Sequence, residues 1–264
     1  VKPSLVVSLR QKQIIKLIEK GKRLDGRSLD EYRSTKVEQG LIERAEGSAR
    51  VLLGKTEVIV GVKLEIGKPF PDTPNEGVLT VNAELVPIAS PSFEPGPPGE
   101  DAVELARVVD RGIRESKTVE VEKLCIEPGK KVFVIFIDVY IINHDGNLID
   151  ASALAAISAL HNTKMFKYEI ENDEVRVKPG YTQLPVRKHP ITVTQVKIND
   201  KLIVDPHIKE EQTMTARVTF SIDDDDNICA IQKGGNGSFK QKEILEAAKT
   251  AIKKANEIRK NLKW

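Results

Sequence analysis

The sequence is poor in the residues that most often carry reactive chemistry. It has two cysteines, two methionines, one tryptophan and four histidines among 264 residues. Cys125 and Cys229 both sit in strand-like runs and read as buried small apolar residues, so a disulfide-stapled or Cys-ligated zinc scaffold is excluded. His144, His161, His189 and His207 show no metal-ligand spacing. No serine sits in a Gly-x-Ser-x-Gly elbow. No apolar run reaches the ~20 residues that span a bilayer, and no signal peptide precedes the first charged helix. These absences predict a soluble, cytoplasmic protein with no membrane partner. Basic excess is also missing. The net charge is +2 with 30% charged residues, so any nucleic-acid contact must come from a local patch. Abundant Lys and Glu beside so few Met and Cys fit a thermophilic source.

What is present is a core and a regular alternation of elements. Hydrophobic content is 40%, and the length suits one large domain or two halves sharing a core. Ser8–Lys20 reads as an amphipathic helix burying Ile14, Ile15, Leu17 and Ile18, capped by Gly21. Residues 48–53 and 56–66 read as strands joined at Gly54-Lys55, and 78–89 as another strand region. The four prolines of 91–99 make a rigid loop. Helical periodicity returns over 100–117. Residues 119–142 read as β, broken at Glu127-Pro128-Gly129, and 131–142 as one fully buried strand. Residues 148–162 form an Ala-rich buried helix.

Residues 169–190 read as a polar, irregular connection. About four strands follow over 191–231. The last helix is expected to start at Ser238, with Gln241 closing a capping box. Its apolar seam is Ile244, Ala248, Ala251, Ala255, Ile258 and Leu262. This order predicts an α+β protein of two related β-α halves: an N-terminal helix 1–22, a first half 23–168 and a second half 169–264.

Two places stand out chemically. On the helix 101–116, Arg107, Arg111 and Arg114 form a stripe opposite the apolar face of Ala102, Leu105, Ala106, Val109 and Ile113. The stripe spans about 10 Å, which suits successive phosphates of one strand or acidic groups on a partner. The competing reading is a solvated face neutralised by Glu104, Asp110 and Glu115 at helical spacing. The second place is the turn Asn143-His144-Asp145-Gly146-Asn147, which feeds the buried helix. A strand, a Gly turn and a helix start favour phosphate, because free N–H groups and the helix dipole attract an anion. Here no Arg or Lys is present, and Asp150 is expected to satisfy the helix donors itself.

Other candidates reduce to structure. Asp223-Asp224-Asp225-Asp226-Asn227 lacks the alternating ligands of a Ca²⁺ loop and reads as a hairpin turn. Gly234-Gly235-Asn236-Gly237 lacks the Lys of a P-loop. Asp138 reads as a hydrogen-bond anchor within its strand. No metal and no cofactor are expected.

Several motifs then resemble the RNase PH family of phosphorolytic 3′→5′ exoribonucleases. They are Arg23-Leu24-Asp25-Gly26-Arg27, Gly47-Ser48-Ala49-Arg50-Val51, Gly54-Lys55-Thr56-Glu57-Val58, Gly77-Val78-Leu79-Thr80-Val81, Asp138-Val139 and Asp145-Gly146. Asp72-Thr73-Pro74-Asn75, Phe93 to Pro98, Glu104 to Arg111, 145–151, and Asp205-Pro206 with Glu210-Glu211 look like the catalytically silent ring subunit of the archaeal exosome.

The resemblance implies an RNase PH-like, ribosomal protein S5 domain 2-like fold. It implies a hexameric ring in which this chain alternates with an active RNase PH-like subunit, capped by RNA-binding subunits, degrading single-stranded RNA with phosphate. It places the family's phosphate-binding arginine at Ile149, and its two catalytic aspartates at Gln212 and near Val218. No catalytic residue is then expected in this chain. The RNA-binding residues it implies are Arg107 and Arg111, then Arg114, with Lys68 as a pore candidate. An active phosphorolytic enzyme and a free-standing RNA-binding protein are the alternatives.

Overall fold

The computed structural model describes residues 5–171 and 174–262. Residues 1–4 of the expected N-terminal segment, 172–173 of the expected connection and 263–264 of the second half lie outside the described residues. Helix α1 (Leu5–Glu19) starts three residues before the expected Ser8. Ile14 and Ile18 are fully buried against Val196, Ile198 and Ile203 of the C-terminal half. Gly21, at φ 69°, ends the helix by donating its N–H to the Ile18 carbonyl.

The first sheet contains β1 (Thr35–Gln39), β2 (Gly47–Leu53), β3 (Thr56–Gly67), β4 (Val78–Leu85), β5 (Cys125–Glu127) and β6 (Lys131–Asn143). Its order is β1-β2-β3-β6-β4, with β5 paired to the start of β6. Among the described residues only β4 and β6 pair in parallel. A parallel pair needs a crossover, and helix α2 (Glu100–Glu115) supplies it. Residues 121–124, expected as strand, form a 3-10 turn instead.

The fully buried reading of β6 needs correction. Phe133, Ile135, Ile137, Val139 and Ile141 face the core, while Val134, Phe136 and Asp138 are half-buried and Tyr140 is exposed. Helices cover only one face of this sheet, so the long apolar run conceals an alternation. Asp138 accepts a hydrogen bond from Asn82 Nδ2 at 3.1 Å.

Helix α3 (Leu148–Asn162) is buried at every position from Ile149 to Leu160. It packs on β2 and β3 on one side and on the second sheet on the other. That sheet, in order β10-β9-β11-β12, contains β9 (Ile191–Ile198), β10 (Lys201–Val204), β11 (Ala216–Ile222) and β12 (Ile228–Gly234). Between the halves, β7 (Lys164–Glu171) and β8 (Glu174–Gln183) pair as a hairpin. The expected irregular connection is therefore mostly strand. Phe166, Tyr168 and Ile170 share a face with Tyr181, Val177 and Val175, and Phe133 packs under Phe166 and Tyr168.

A short helix α4 (Ile208–Glu211) links β10 to β11, and α5 (Gln241–Asn261) closes the chain. Helix α5 does not start at Ser238. Gly237 N–H bonds the Thr215 carbonyl, which holds that stretch against β11. The cap is Lys240, whose N–H donates to Glu243 Oε2 at 2.7 Å. Ala247, absent from the expected seam, is fully buried with Ala251 and Ala255. Cys125 and Cys229 are half-buried free thiols rather than core residues. The result is the expected α+β architecture of two sheet-and-helix halves around a shared helix.

Candidate functional site

Helix α2 runs back along β4. It buries Ala102, Leu105, Val108, Val109, Gly112 and Ile113 and leaves Arg107, Arg111 and Arg114 exposed. The structure treats the three arginines differently. Arg114 holds Asp110 with two contacts, Nη2–Oδ1 at 2.7 Å and Nε–Oδ2 at 3.2 Å, and also donates to the Leu79 carbonyl. Its charge is largely engaged. Glu104, which helical spacing offered to Arg107, instead pairs with Arg217 of β11 at 2.6 Å. Among the described residues no hydrogen bond or ion pair engages Arg107 or Arg111. Both line an open groove of about 740 Å³, with Pro98, Val103 and Gln232 among its walls.

Lys68 is exposed in the loop after β3. Because β3 is antiparallel to β6, and β6 is parallel to β4, the end of β3 lies where β4 begins. Arg114 binds Leu79 at that same end. Lys68 is thus two strand positions from β4, roughly 10 Å by strand spacing. It shares a sheet end with the last turn of α2 without joining its stripe.

The start of α3 is arranged differently from the sequence expectation. Asn147 is the left-handed residue before the helix, at φ 54°, and no side chain caps the first turn. Asp150 does not satisfy the helix donors. Its carboxylate is buried and accepts from Tyr32 Oη (2.7 Å), Asn147 Nδ2 (2.8 Å), Thr194 N (3.0 Å) and Thr194 Oγ1 (2.7 Å). Burial pushes this carboxyl up to about 6, against the pull of those donors. The acid that meets the helix start comes from α4: Asn147 N–H donates to Glu211 Oε1 at 2.8 Å. Burial pushes the Glu211 carboxyl up to about 7.

A cavity of about 190 Å³ opens here, with Phe93, His144, Asn147, Ile149, Glu211 and Arg217 in its walls. Gln212 is exposed and Val218 is fully buried in β11, so neither faces it. The positions that do face it lie one residue earlier, Glu211 and Arg217. Strand alternation explains the difference on β11, since Val218 must point to the core if Arg217 points to the cavity. One acid is therefore present, and the other position carries a cation. Ile149 brings no charge, and Arg217, the single Arg or Lys in the wall, is engaged by Glu104.

Behind the cavity a buried ionic network joins the two halves. Arg23 holds Glu210, and Asp205 receives Arg27 Nη1 at 2.8 Å and Arg33 Nη2 at 2.7 Å. Burial works to raise the Asp205 carboxyl, but the hydrogen bond and charge of Arg33, with Arg27 behind it, hold it below its ordinary value. Asn147 Nδ2 donates to Asp205 Oδ1 as well. The Arg23–Arg27 motif stands out in the sequence without showing this role, and Arg33 does not stand out at all. The only signal was a dense run of Arg and Asp in an otherwise short loop.

Asp223–Asn227 form the β11–β12 turn. Asp223 Oδ1 accepts the N–H groups of Asp225 and Asn227, and Lys188 pairs with its other oxygen. Among the described residues no cluster of three His, Cys, Asp or Glu groups could hold a metal ion.

Known proteins share this architecture. Residues 31–165 match the 3′ exoribonuclease family, domain 1, and residues 188–254 match domain 2 of the same family. The chain is 53% identical over 260 residues to the exosome complex component Rrp42 of Thermococcus gammatolerans, covering 98% of this chain and 95% of that protein. It is 47% identical to the Rrp42 component of Methanopyrus kandleri, covering 98% and 97%. A chain in a solved structure described as the Archaeoglobus fulgidus exosome with RNA bound to the active site superposes with a TM-score of 0.91. That chain is 44% identical, and the match covers 98% of this chain and 100% of that one. Rice Rrp46, 16% identical with a TM-score of 0.69, shares the fold. By domain matches over 31–165 and 188–254 and by identity over nearly its whole length, this chain belongs to the RNase PH family of 3′ exoribonucleases.

Proposed function

We propose that the chain is a non-catalytic subunit of an archaeal exosome ring. In this reading it alternates with an active RNase PH-like subunit, receives RNA-binding cap subunits on one face, and helps guide single-stranded RNA to the neighbour's phosphorolytic site. Relatives named as exosome components support the assembly. The observation that carries the silent role is the cavity at α3, whose one Arg is engaged by Glu104 and whose helix start presents Ile149. Phosphorolysis needs a cation to hold and neutralise phosphate where charge develops.

Arg107 and Arg111 are the proposed RNA contacts. Exposed guanidinium groups without internal partners make charge-assisted contacts to phosphate oxygens, which hold register without reading bases. Arg114 and Lys68 are secondary contacts in this proposal, Arg114 because Asp110 already holds it. The halves 23–168 and 169–264 are proposed as the two family domains, with one domain match inside each in support. A cytoplasmic location goes with the role. Among the described residues no helix is long and apolar enough to cross a membrane.

The test incubates the purified chain with phosphate and poly(A) RNA, alone and after assembly with the active homologue. The expected result is release of nucleoside diphosphates only by the assembled ring, and co-elution of both chains in gel filtration. Release by the chain alone would establish the second reading, an active exoribonuclease, which has the Glu211 carboxylate in its favour.

A further inference from the structure

The cavity at α3 holds an arrangement that the RNA-positioning role does not use. Its volume, about 190 Å³, compares with roughly 30 Å³ for a water molecule, so a small anion is not shut out by size. What faces an anion is a carboxylate. Glu211 Oε1 sits 2.8 Å from the N–H of Asn147, the residue that precedes α3. We propose that Glu211 is an internal stand-in for phosphate at the start of α3, so that this cavity actively rejects inorganic phosphate and the phosphate groups of RNA. The proposal deepens the silent-subunit reading and rests on it.

Three features hold the carboxylate in place. Helix α4 is fastened to the turn before α3: Ile208 N–H bonds the Asp145 carbonyl, and His207 Nε2 lies 3.1 Å from Asp145 Oδ1. Gly146 makes that approach possible, since a Cβ there would stand 2.5 Å from Ile208 N and from the Pro206 carbonyl oxygen. Glu210, the neighbour of Glu211, is locked onto Arg23. The α4 backbone that carries Glu211 is thus fixed, and the Asn147 N–H holds the carboxylate itself. Arg217 gives Nη2 to Glu104 at 2.6 Å and offsets the Glu211 charge only in part. An arriving phosphate would lose the Asn147 donor and meet a like charge. Burial raises the Glu211 carboxyl to about 7, while the Asn147 N–H and the charges of Arg217 and Arg33 pull it down.

The experiment titrates the full chain with inorganic phosphate by calorimetry at pH 8, where Glu211 is ionised. The wild type should show no saturable binding. Glu211→Ala, which removes both charge and acceptor, should bind phosphate at least about tenfold tighter, the scale expected for relief of one close like charge. Glu211→Gln, which keeps the shape and removes the charge, should also gain, and it decides the matter if the alanine variant does not melt cooperatively. A double variant, Glu211→Ala with Ile149→Asp, returns a carboxylate to the helix start and should abolish the gain. Wild-type binding equal to the variants, no gain in a folded variant, or a gain that survives Ile149→Asp would each overturn the proposal. Failure of the silent-subunit reading would look different: nucleoside diphosphates released from RNA by the unaltered chain.

Discussion

Arg23 and Glu210 meet in a two-pronged ion pair from which water is excluded. Nε lies 2.9 Å from Oε1, Nη2 lies 2.5 Å from Oε2, and the two side chains are 0% and 2% exposed. The pair joins the loop before the first sheet to α4, more than 180 residues later. Removing one partner strands the other charge in the interior, so Glu210→Ala should cost about 3–5 kcal/mol. Replacing both, as Arg23→Met with Glu210→Leu, should recover most of that loss. Urea denaturation of the three proteins measures the difference. Equal stability of the single and double variants would contradict the stranded-charge account.

Arg107 and Arg111 should matter more to RNA than Arg114. In an assembled ring, Arg107→Ala with Arg111→Ala should weaken RNA binding and lower the slope of log affinity against log salt by about 1.4, at ~0.7 per single-strand phosphate contact. Arg114→Ala should change the slope less, because Asp110 already holds that guanidinium. The fold should survive, since all three project away from the buried face. Salt titration of RNA affinity reads the effect. An unchanged slope in the double variant removes these residues from the RNA path.

Gly146 has no tolerated replacement. It adopts φ 90°, and its missing Cβ is where Ile208 N, Pro206 O and His207 C come within 2.7 Å. Gly146→Ala combines backbone strain with a clash against main chain, which cannot rotate away, so a loss above about 3 kcal/mol is expected. Gly129, at φ 74° with open space around it, should lose no more than about 1–2 kcal/mol on the same change. Thermal melts of the two variants, compared, check the contrast.

The pH dependence has a definite sign. Glu211 is raised from 4.5 to about 7, and Asp150 from 3.8 to about 6. A carboxyl raised on folding contributes stability that is full below its unfolded value and is lost as pH rises through its folded value. Stability should therefore fall between about pH 4 and 7 from these two groups. Glu211→Gln should flatten the upper part of that decline and be more stable than wild type at pH 8 by about 1–3 kcal/mol. Denaturation midpoints at pH 5 and pH 8 test it; a variant with an undiminished slope would assign the decline to other groups.

Elements with strong local signals were legible in the sequence. The hairpin at Gly54-Lys55 and the helix 148–162 are where alternation and the Ala-rich run place them. The β7–β8 hairpin was not, because Lys167, Glu169, Arg176 and Lys178 make its other face polar and only Met165, Phe166 and Tyr168 of β7 reach the core. The arginine stripe was readable from helical spacing, but the different fates of its members were not. Arg217, which draws Glu104 away from Arg107, comes from a strand 113 residues distant. The same limit explains Asp150. From sequence it is the nearest acid to the α3 donors, whereas in the fold it turns to Tyr32 and Thr194, and Glu211 arrives from α4 to meet the N–H of Asn147 just ahead of the helix. Local rules assign a donor to the closest acceptor along the chain, and only the packing of the two halves shows which acceptor is closest in space.

Helix α3 has no side that can face water: every residue from Ile149 to Leu160 is buried. During synthesis α3 is complete at Asn162, but β9, the strand that covers its second flank, ends only at Ile198. At ~5–20 residues per second that interval lasts roughly 2–7 seconds. Throughout it, the nascent first half carries a bare apolar cylinder. A chain cut between Asn162 and β9 would therefore leave one flank of α3 with no strand to cover it.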